Sequence, residues 1–179
     1  MYIAIQGIEG SFHQIAAFKY FGEREIFTPI CCDSFPILFR ELQENQNYYA
    51  VMAIENTVAG TILPNYALLR NTKVRIIGEV YLRIQHNLLV TNEQNISQLK
   101  EVHSHPMAIL QCQDFFAKYP HIRLVESHDT AASAKFISDK KLKNIGAIAS
   151  SLAAEQYNLN ILNEGIETNK RNFTRFMIL

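Results

Sequence analysis

Cysteine is scarce in this sequence, and its few positions exclude two common structural devices. The 179 residues include three cysteines, Cys31, Cys32 and Cys112, whose spacing is unlike that of a zinc site. Adjacent cysteines cannot easily form a disulfide with each other. We therefore expect three reduced thiols that pack as small apolar residues.

An excess of charge and a long apolar run are also missing. Seventeen basic side chains balance seventeen acidic ones, and neither sign forms a long block. The chain thus lacks the general electrostatic attraction that draws a protein to nucleic acid or to a membrane surface. No stretch approaches the roughly eighteen apolar residues of a membrane span, and residues 1–7 contain no basic leader. We expect a cytoplasmic protein with no nucleic-acid and no membrane partner.

The composition that is present suits a packed core. Hydrophobic residues make up 48% of the chain and aromatic residues 11%, which is enough for one sizeable core or two small lobes. Short β-rich runs alternate with longer amphipathic runs, so we predict an α/β fold with a mostly parallel sheet. The predicted strands are residues 2–6, 25–31, 49–54, 101–104, 122–126, 145–149 and 173–179. The predicted helices are residues 12–21, 34–44, 62–69, 107–118, 130–138 and 152–157.

One β-rich segment, residues 74–91, is longer than a usual strand and contains Gly78. A segment of this length can leave one sheet and enter another, with a return crossing near residues 163–168. The sequence therefore predicts two lobes with a ligand cleft between them. Their bounds are about residues 1–78 with 168–179 for the first lobe, and about 81–163 for the second.

Polar side chains gather where predicted strands give way to helices, the edge at which open α/β sheets bind ligands. Ser11 and Gln14 form a capping-box pattern, and a ligand contact at Ser11 is compatible with capping. Glu55, Asn56 and Thr57 directly follow an apolar strand and have no capping role, although a solvated loop would also account for them.

The remaining junctions carry small polar residues and histidines. Ser104 either caps the helix that carries Gln111 or contacts a ligand. His103, His105 and His128 are possible metal ligands, but no carboxylate or thiolate has a matching spacing, so we expect no metal. Capping is the expected role of Asp129 and of one serine of the pair Ser150 and Ser151. Together these helix N-termini predict a pocket for a small carboxylate ligand.

Thr174 and Arg175 are polar residues within an apolar strand near the end of the chain. Buried polar groups cost free energy unless they are paired, so both are candidates for chemistry. The guanidinium of Arg175 can hold a carboxylate ligand bidentately; alternatively, it is structural and pairs with Glu55 or Glu79. Because neighbouring side chains of a strand point to opposite faces, both reach one pocket only if the strand is bent or if they lie at its start. Thr174 is then the stronger candidate.

Seven short motifs follow one another along the chain. They are Gly7-Ile8-Glu9-Gly10-Ser11-Phe12, Ile54-Glu55-Asn56-Thr57 with Gly60, Gly78-Glu79-Val80-Tyr81-Leu82 leading to His86-Asn87-Leu88-Leu89, Ser104-His105-Pro106 with Gln111-Cys112, Asp129-Thr130-Ala131-Ala132, Ser150 with Ala153-Ala154, and Asn172-Phe173-Thr174-Arg175-Phe176. In this order they resemble the catalytic domain of prephenate dehydratases, enzymes of phenylalanine biosynthesis whose best-known signature is Thr-Arg-Phe. The resemblance implies a type II periplasmic-binding-protein-like architecture, with a mixed, mostly parallel sheet in each lobe.

The resemblance also implies a reaction and a set of site residues. The reaction is the decarboxylating dehydration of prephenate to phenylpyruvate, carbon dioxide and water, catalysed by a carbon–oxygen lyase without a cofactor, because formation of an aromatic ring drives it. The implied catalytic residues are Thr174, Glu55, Asn56, Ser104 and Gln111. The implied substrate contacts are Arg175, Phe176, Ser11, Thr57, His105, Thr130 and Asn172.

Thr174 matches the position that assists departure of the substrate hydroxyl, by donating a hydrogen bond or by passing on a proton. Glu55 and His105 are the titratable neighbours that the sequence favours as the source of that proton. We expect Arg175 to hold the pyruvyl carboxylate, because a tight ion pair with the ring carboxylate would oppose its loss as carbon dioxide.

Two alternative functions stay open at this point. Arogenate dehydratase carries an amino group on the arm of its substrate, and a two-lobed receptor for a small carboxylate would need no chemistry. Assembly into a homodimer or a larger homo-oligomer is expected from the family. Many members continue into a regulatory ACT domain that binds phenylalanine, whereas this sequence stops three residues after Phe176. The chain is then either a shortened catalytic domain or an enzyme without that control.

Overall fold

The computed structural model describes residues 1–22, 27–91 and 94–179, which form two compact units. Unit 1 comprises Met1–Ile84 and Arg171–Leu179, and unit 2 comprises Gln85–Lys170. Each unit contains helices and one mixed sheet, which confirms the predicted α/β class. Among the described helices, none has the length and apolar character needed to span a bilayer.

Unit 1 is built on a six-stranded sheet. Its elements are β1 (Tyr2–Gln6), α1 (Phe12–Phe21), β2 (Thr28–Cys32), α2 (Phe35–Glu44), β3 (Tyr48–Asn56), β4 (Gly60–Thr61), α3 (Leu63–Arg70), β5 (Gly78–Arg83) and the terminal strand, which is β11 (Phe173–Ile178). The strand order is β2-β1-β3-β11-β5, with β4 paired to β3. β1 is parallel to β2 and β3, whereas β11 is antiparallel to β3 and β5. This order, with a strand from the end of the chain inserted beside β3, is that of the type II architecture.

Side chains alternate across this sheet, so each face has its own core. The first core contains Ile3, Ile5, Val51, Phe176 and Ile178, together with Ala16 and Ala17 of α1. The second core contains Ala4, Leu38, Phe39, Met52 and Ile54. Because α1 covers one face and α2 the other, the strands are apolar on both sides, as expected for a covered sheet.

The side chains of β11 alternate between the two faces in the same way. Thr174, Phe176 and Ile178 are buried, whereas Arg175 and Met177 alternate with them and are half-buried. Thr174 therefore lies on the face of the first core, and Arg175 lies on the opposite face. The register against β3 shifts between Arg175 and Phe176.

Unit 2 is built on a five-stranded sheet in the order β10-β6-β9-β7-β8. Its elements are β6 (Asn87–Val90), a 3-10 turn (Ile96–Gln98), β7 (Glu101–Ser104), α4 (Pro106–Gln111), α5 (Gln113–Phe116), β8 (Arg123–Glu126), α6 (Thr130–Asp139), β9 (Ile145–Ala149), α7 (Ser151–Gln156) and β10 (Asn160–Asn163). β7 is parallel to β8 and β9, whereas β6 is antiparallel to β9 and β10. Its core includes Leu88, Val102, Ile109, Phe116 and Ile148.

Several predicted elements are confirmed at both ends, namely strands 2–6, 101–104 and 145–149 and helix 12–21. The predicted strand 25–31 begins on residues that lie outside the described ranges, and the described strand is Thr28–Cys32. The single helix predicted over 107–118 is wrong, because the backbone leaves the helical region at Cys112 (φ −108°, ψ 10°) and divides it into α4 and α5. Segment 74–91 forms two strands, β5 and β6, and β4 and β10 were not predicted.

All three cysteines are reduced, as expected, but they differ in burial. Cys32 and Cys112 are buried, whereas Cys31 is exposed, so the expectation that all three pack inside is wrong for Cys31. Burial raises the pKa of Cys32 to about 11 and that of Cys112 to about 12. Both buried thiols are therefore protonated at neutral pH and poor nucleophiles.

Candidate active site

Thr174 lies near the start of β11 with 7% of its surface exposed. Its Oγ1 accepts a hydrogen bond of 2.9 Å from Nδ2 of Asn56. Because the amide donates to the hydroxyl oxygen, the hydroxyl proton is directed elsewhere, and no residue in the described part of the chain accepts it. The arrangement leaves the Oγ1–H group of Thr174 available as a donor.

Asn56 is itself held at every polar atom of its side chain. Nδ2 also donates to Oδ1 of Asn172 at 2.8 Å, and Asn172 is fully buried. Oδ1 accepts from the backbone N–H groups of Val58 (2.9 Å) and Ala59 (2.8 Å), which forms an Asx turn at the end of β3. The amide therefore has one orientation, and it transmits that orientation to Thr174.

Thr57 ties the entry of β11 to the end of β3. Its Oγ1 donates to the carbonyl of Arg171 (2.8 Å) and accepts from the N–H of Phe173 (2.9 Å), while its own N–H donates to the carbonyl of Phe173 (2.9 Å). These three bonds place Thr174 opposite Asn56. Thr57 thus fixes the start of β11 against the end of β3.

Arg175 faces the other side of β11 and meets two carboxylates. Nη2 and Nε lie 2.6 Å and 2.9 Å from Oε2 of Glu79, and Nη1 lies 3.4 Å from Oε2 of Glu55. The guanidinium also lies 5.7 Å from the ring centre of Tyr81, within the range of a cation–π contact. The alternative expectation, pairing with Glu55 or Glu79, is met with both partners.

Glu55 lies on the Arg175 side of the sheet. Its Oε1 accepts a 2.6 Å hydrogen bond from the hydroxyl of Tyr66. That bond, together with the nearby Arg175, lowers the pKa of Glu55 below its usual value. The carboxyl is therefore ionised at neutral pH and does not face Thr174, so the structure does not bring Glu55, one of the two predicted proton sources, to the hydroxyl.

The start of α1 lies on the same face as Thr174. Ser11 caps this helix by accepting from the N–H of Gln14 (3.3 Å), which confirms its predicted capping role. The return bond of a capping box is not formed, because Oε1 of Gln14 accepts from the N–H of Gly10 (2.7 Å) and the N–H of Ser11 donates to the carbonyl of Ile8. Phe176 is 1% exposed and packs edge-on against His13, with ring centres 5.0 Å apart. A side chain enclosed in this way has no surface left for a ligand, so the substrate contact implied for Phe176 is replaced by a core role.

His13 was not among the predicted site residues. Its Nε2 is enclosed without a hydrogen-bond partner in the described part of the chain, although the residue as a whole is only half-buried. Burial lowers the pKa of His13 to about 3. The imidazole is therefore neutral, and it packs between the rings of Phe35 and Phe176.

In unit 2, Gln111 ends α4 and contacts a buried histidine. Its Oε1 lies 2.9 Å from Nε2 of His86, and its carbonyl accepts from the N–H of Thr168 (2.8 Å). His86 is 3% exposed, and its backbone N–H donates to Oε2 of the buried Glu167 (2.9 Å). His86 and Glu167 were not predicted as site residues, because only the fold brings them beside Gln111.

The other residues predicted in unit 2 serve strand and helix ends. Ser104 is fully buried and donates to the carbonyl of Ile148 (2.7 Å), so its hydroxyl joins β7 to β9 rather than capping α4. His105 caps α4 instead, with Nδ1 accepting from the N–H of Met107 (3.2 Å). Thr130 is the first residue of α6 and is half-buried.

Two predicted caps are confirmed in this unit. Asp129 accepts from the N–H of Ala132 (2.7 Å) at the start of α6, and Ser150 accepts from that of Ala153 (2.9 Å) at the start of α7. Within the described ranges there is no group of three His, Cys, Asp or Glu side chains suited to a metal ion. His103 instead contacts Oε2 of Glu101 at 3.0 Å.

Comparison with known proteins decides the family. The profile of the prephenate dehydratase family matches residues 3–179, almost the whole chain. The chain belongs to the prephenate dehydratase family.

Relatives agree with this assignment. The chain is 37% identical over 179 residues to the bifunctional chorismate mutase/prephenate dehydratase of Escherichia coli K12, covering 99% of this chain and 46% of that protein. It is 38% identical over 177 residues to arogenate dehydratase 2 of Petunia hybrida, covering 99% and 44%. It thus spans about half the length of these curated relatives.

A solved structure of the family has the same fold. The prephenate dehydratase of Arthrobacter aurescens, in complex with L-Phe, superposes with a TM-score of 0.89 at 26% identity. The match covers 99% of this chain and 59% of that one.

The Thr-Arg-Phe triplet of this dehydratase-family chain is divided among three environments. Thr174 has an oriented hydroxyl, Arg175 is held between carboxylates, and Phe176 lies in the core. Two polar groups are therefore assembled by the fold. They are Thr174 with Asn56 and Asn172 in unit 1, and Gln111 with His86 and Glu167 in unit 2.

Proposed function

We propose that this chain converts prephenate to phenylpyruvate, carbon dioxide and water. The observation that carries the proposal is the hydrogen bond from Asn56 to Thr174, which turns the hydroxyl of Thr174 into a directed donor. Membership of the prephenate dehydratase family supports the choice of substrate.

The chemical difficulty lies in expelling hydroxide from the ring. As the bond to the ring carboxylate breaks, its electron pair enters the ring, the carbon–oxygen bond breaks, and carbon dioxide departs. The leaving hydroxide takes up a proton and becomes water. A donor aimed at the departing oxygen stabilises its developing charge, and assistance of this kind is typically worth about 100- to 10,000-fold in rate.

Thr174 is proposed as that donor. An alcohol is a weak acid, so it acts by hydrogen bonding to the departing oxygen. Asn56 makes this efficient because it holds the hydroxyl oriented before the reaction begins, and no reorganisation is then needed in the transition state. We propose a positioning role for Asn172, which shares the donor group of Asn56.

Arg175 is proposed as an organiser of the sheet in place of the expected carboxylate clamp. To bind the pyruvyl carboxylate, its guanidinium would have to leave Glu79 and Glu55. Glu55 keeps Arg175 in place and is not the proton source in this proposal, because it is ionised on the face away from Thr174.

Gln111 is proposed as a second substrate contact, through its side-chain amide. Contacts from Ser11, Thr57, His105 and Thr130 stay predictions, as does a catalytic role of Ser104. The predicted cleft, the cytoplasmic location and the homodimer or larger assembly also stay predictions. Light scattering on the purified chain measures the assembly state directly.

Turnover is the test of the proposal. The chain is mixed with prephenate near neutral pH, and phenylpyruvate is followed against the spontaneous acid-catalysed background. Formation of phenylpyruvate well above that background supports the proposal. A preference for arogenate, measured as kcat/KM in parallel, would assign the activity named for the Petunia relative. Tight binding of prephenate without product would indicate a receptor instead.

A further inference from the structure

His86 presents a proton to Gln111 inside unit 2. Its Nε2 lies 2.9 Å from Oε1 of Gln111. A carbonyl oxygen only accepts, so the imidazole is the donor and its proton is on Nε2. His86 is 3% exposed, and burial lowers its pKa below the usual value, so the ring is neutral at neutral pH.

We propose that His86 is a positioning residue that sets which end of the Gln111 amide is offered to substrate. With Oε1 bound to His86, the NH2 group of Gln111 is directed away from the imidazole. The reversed amide would offer an oxygen instead. Prephenate carries two carboxylates and a hydroxyl, so a donor suits it and an oxygen would repel its charges. The inference rests on the proposed function, in which Gln111 contacts prephenate.

The main chain at His86 is held by two hydrogen bonds. Its backbone N–H donates to Oε2 of Glu167 (2.9 Å), and its carbonyl accepts from the N–H of Ile166 (2.8 Å). The same segment reaches Gln111, because the N–H of Thr168 donates to the carbonyl of that residue (2.8 Å). Residues 166–168 therefore tie the backbone of His86 to that of Gln111, and the two side chains meet from these fixed positions.

The tautomer of His86 can be measured without any turnover. In ¹⁵N spectra of the imidazoles, the resonances lost in His86→Gln identify this ring. We expect a proton on Nε2 and a mainly neutral ring at pH 7. A proton on Nδ1, or a mainly cationic ring at that pH, would overturn the inference.

A pair of substitutions tests the functional consequence. The amide nitrogen of glutamine reaches the position of imidazole Nε2, whereas that of asparagine reaches only the position of Nδ1. We expect His86→Gln to keep kcat/KM within about 3-fold of the wild type. His86→Asn should lower kcat/KM about 10-fold, which is the effect expected from losing one hydrogen bond. The Tm of both variants is measured by thermal unfolding, and activity is assayed below it.

The same pair in a Gln111→Ala background separates positioning from general damage. If His86 acts through Gln111, the two variants have equal activity once the amide is gone. The inference is contradicted if the 10-fold difference between His86→Gln and His86→Asn persists in the Gln111→Ala background. It is also contradicted if the two variants lose equal activity when Gln111 is present. If wild-type chain does not turn over prephenate at all, the proposed function fails, and the tautomer alone decides this inference.

Discussion

Thr174 and Arg175 are neighbours in the chain, yet the two faces of β11 give them opposite surroundings. Thr174 is buried beside a neutral amide, at 2.9 Å from Asn56. Arg175 is partly exposed between the carboxylates of Glu79 and Glu55. Charge is therefore compensated on one face, while an uncharged donor is kept ready on the other. A neutral, oriented donor suits a position where negative charge appears only during the reaction.

Cross-strand pairing explains this division. Thr174 lies directly opposite Asn56, and Arg175 lies opposite Glu55. Opposed residues of an antiparallel pair share a face, so each pair becomes one unit. The register shift just beyond Arg175 lets these two pairs form while Phe176 returns to the core beside Ala53.

The largest expected effect comes from removing the donor itself. Thr174→Val keeps the shape of the side chain and loses the hydroxyl, so we expect kcat to fall about 100-fold or more. Thr174→Ser retains the oxygen and should stay within about 10-fold of the wild type. Steady-state kinetics with prephenate measure both, and circular dichroism melts verify folding. Equal rates for valine and serine variants would remove Thr174 from the mechanism.

Asn56→Asp disturbs the orientation of the donor while keeping the turn. The carboxylate still accepts from Val58 and Ala59, but it donates to neither Thr174 nor Asn172. It would also accept the proton of Thr174 and draw it away from the substrate. We expect kcat to fall about 10- to 100-fold, with KM less affected.

Two comparisons make the result at Asn56 specific. Asn160→Asp makes the same chemical change on an exposed residue of β10 and should keep the wild-type rate. In a Thr174→Val background, Asn56→Asp should add little, because the group that it orients is gone. Full additivity would show that Asn56 acts independently of Thr174.

Local patterns were sufficient to predict the strands and caps that place these residues. Apolar runs located β1 and β11, and the capping patterns located Ser11 and Asp129, because each depends on residues within one turn or strand. Thr174 and Asn56 were candidates from their positions alone, whereas their expected roles, and that of Gln111, came from resemblance to a family.

Long-range contacts could not be predicted from spacing. Asn56 bonds to residues 116 and 118 positions later in the chain, and these bonds depend on a register shift that no local pattern announces. His86 and Gln111 are 25 positions apart and meet only after α4 packs in unit 2. The expected roles of Glu55 and Phe176 changed for the same reason, because Glu55 meets Tyr66 and Arg175, and Phe176 meets His13, only in the folded chain.

Acidification should lower the free energy of unfolding through the Thr174 side of the sheet and through the Arg175 side in different pH ranges. His13, on the Thr174 side, has a folded pKa of about 3 against an ordinary value of 6.5. The unfolded chain therefore binds more protons as the pH falls below 6.5, and stability is lost through that range. Between pH 7 and 5 we expect the wild type to lose up to about 2 kcal/mol more unfolding free energy than His13→Phe.

Urea titrations at the two pH values measure this difference, and the contribution of His86 cancels because both proteins contain it. Glu55, on the Arg175 side, has a pKa lowered from 4.5, so its contribution is present above that value and is lost only at lower pH. Glu55→Gln should therefore leave the change between pH 7 and 5 as in the wild type. A change in that range on replacing Glu55 would show that the two faces titrate together.

The smallest effect is expected at Arg175. Arg175→Met keeps the stem beside Tyr81 and removes the charge, so it loses exposed ion pairs, which contribute little to stability. We expect a small decrease in Tm and a decrease in kcat of less than about 10-fold. Calorimetry with a prephenate analogue, and with one that lacks the pyruvyl carboxylate, should show both affinities falling by the same factor. If Arg175→Met lowers the affinity only for the analogue that carries this carboxylate, Arg175 is a substrate clamp. One face of β11 would then bind the substrate, and the other would assist the reaction.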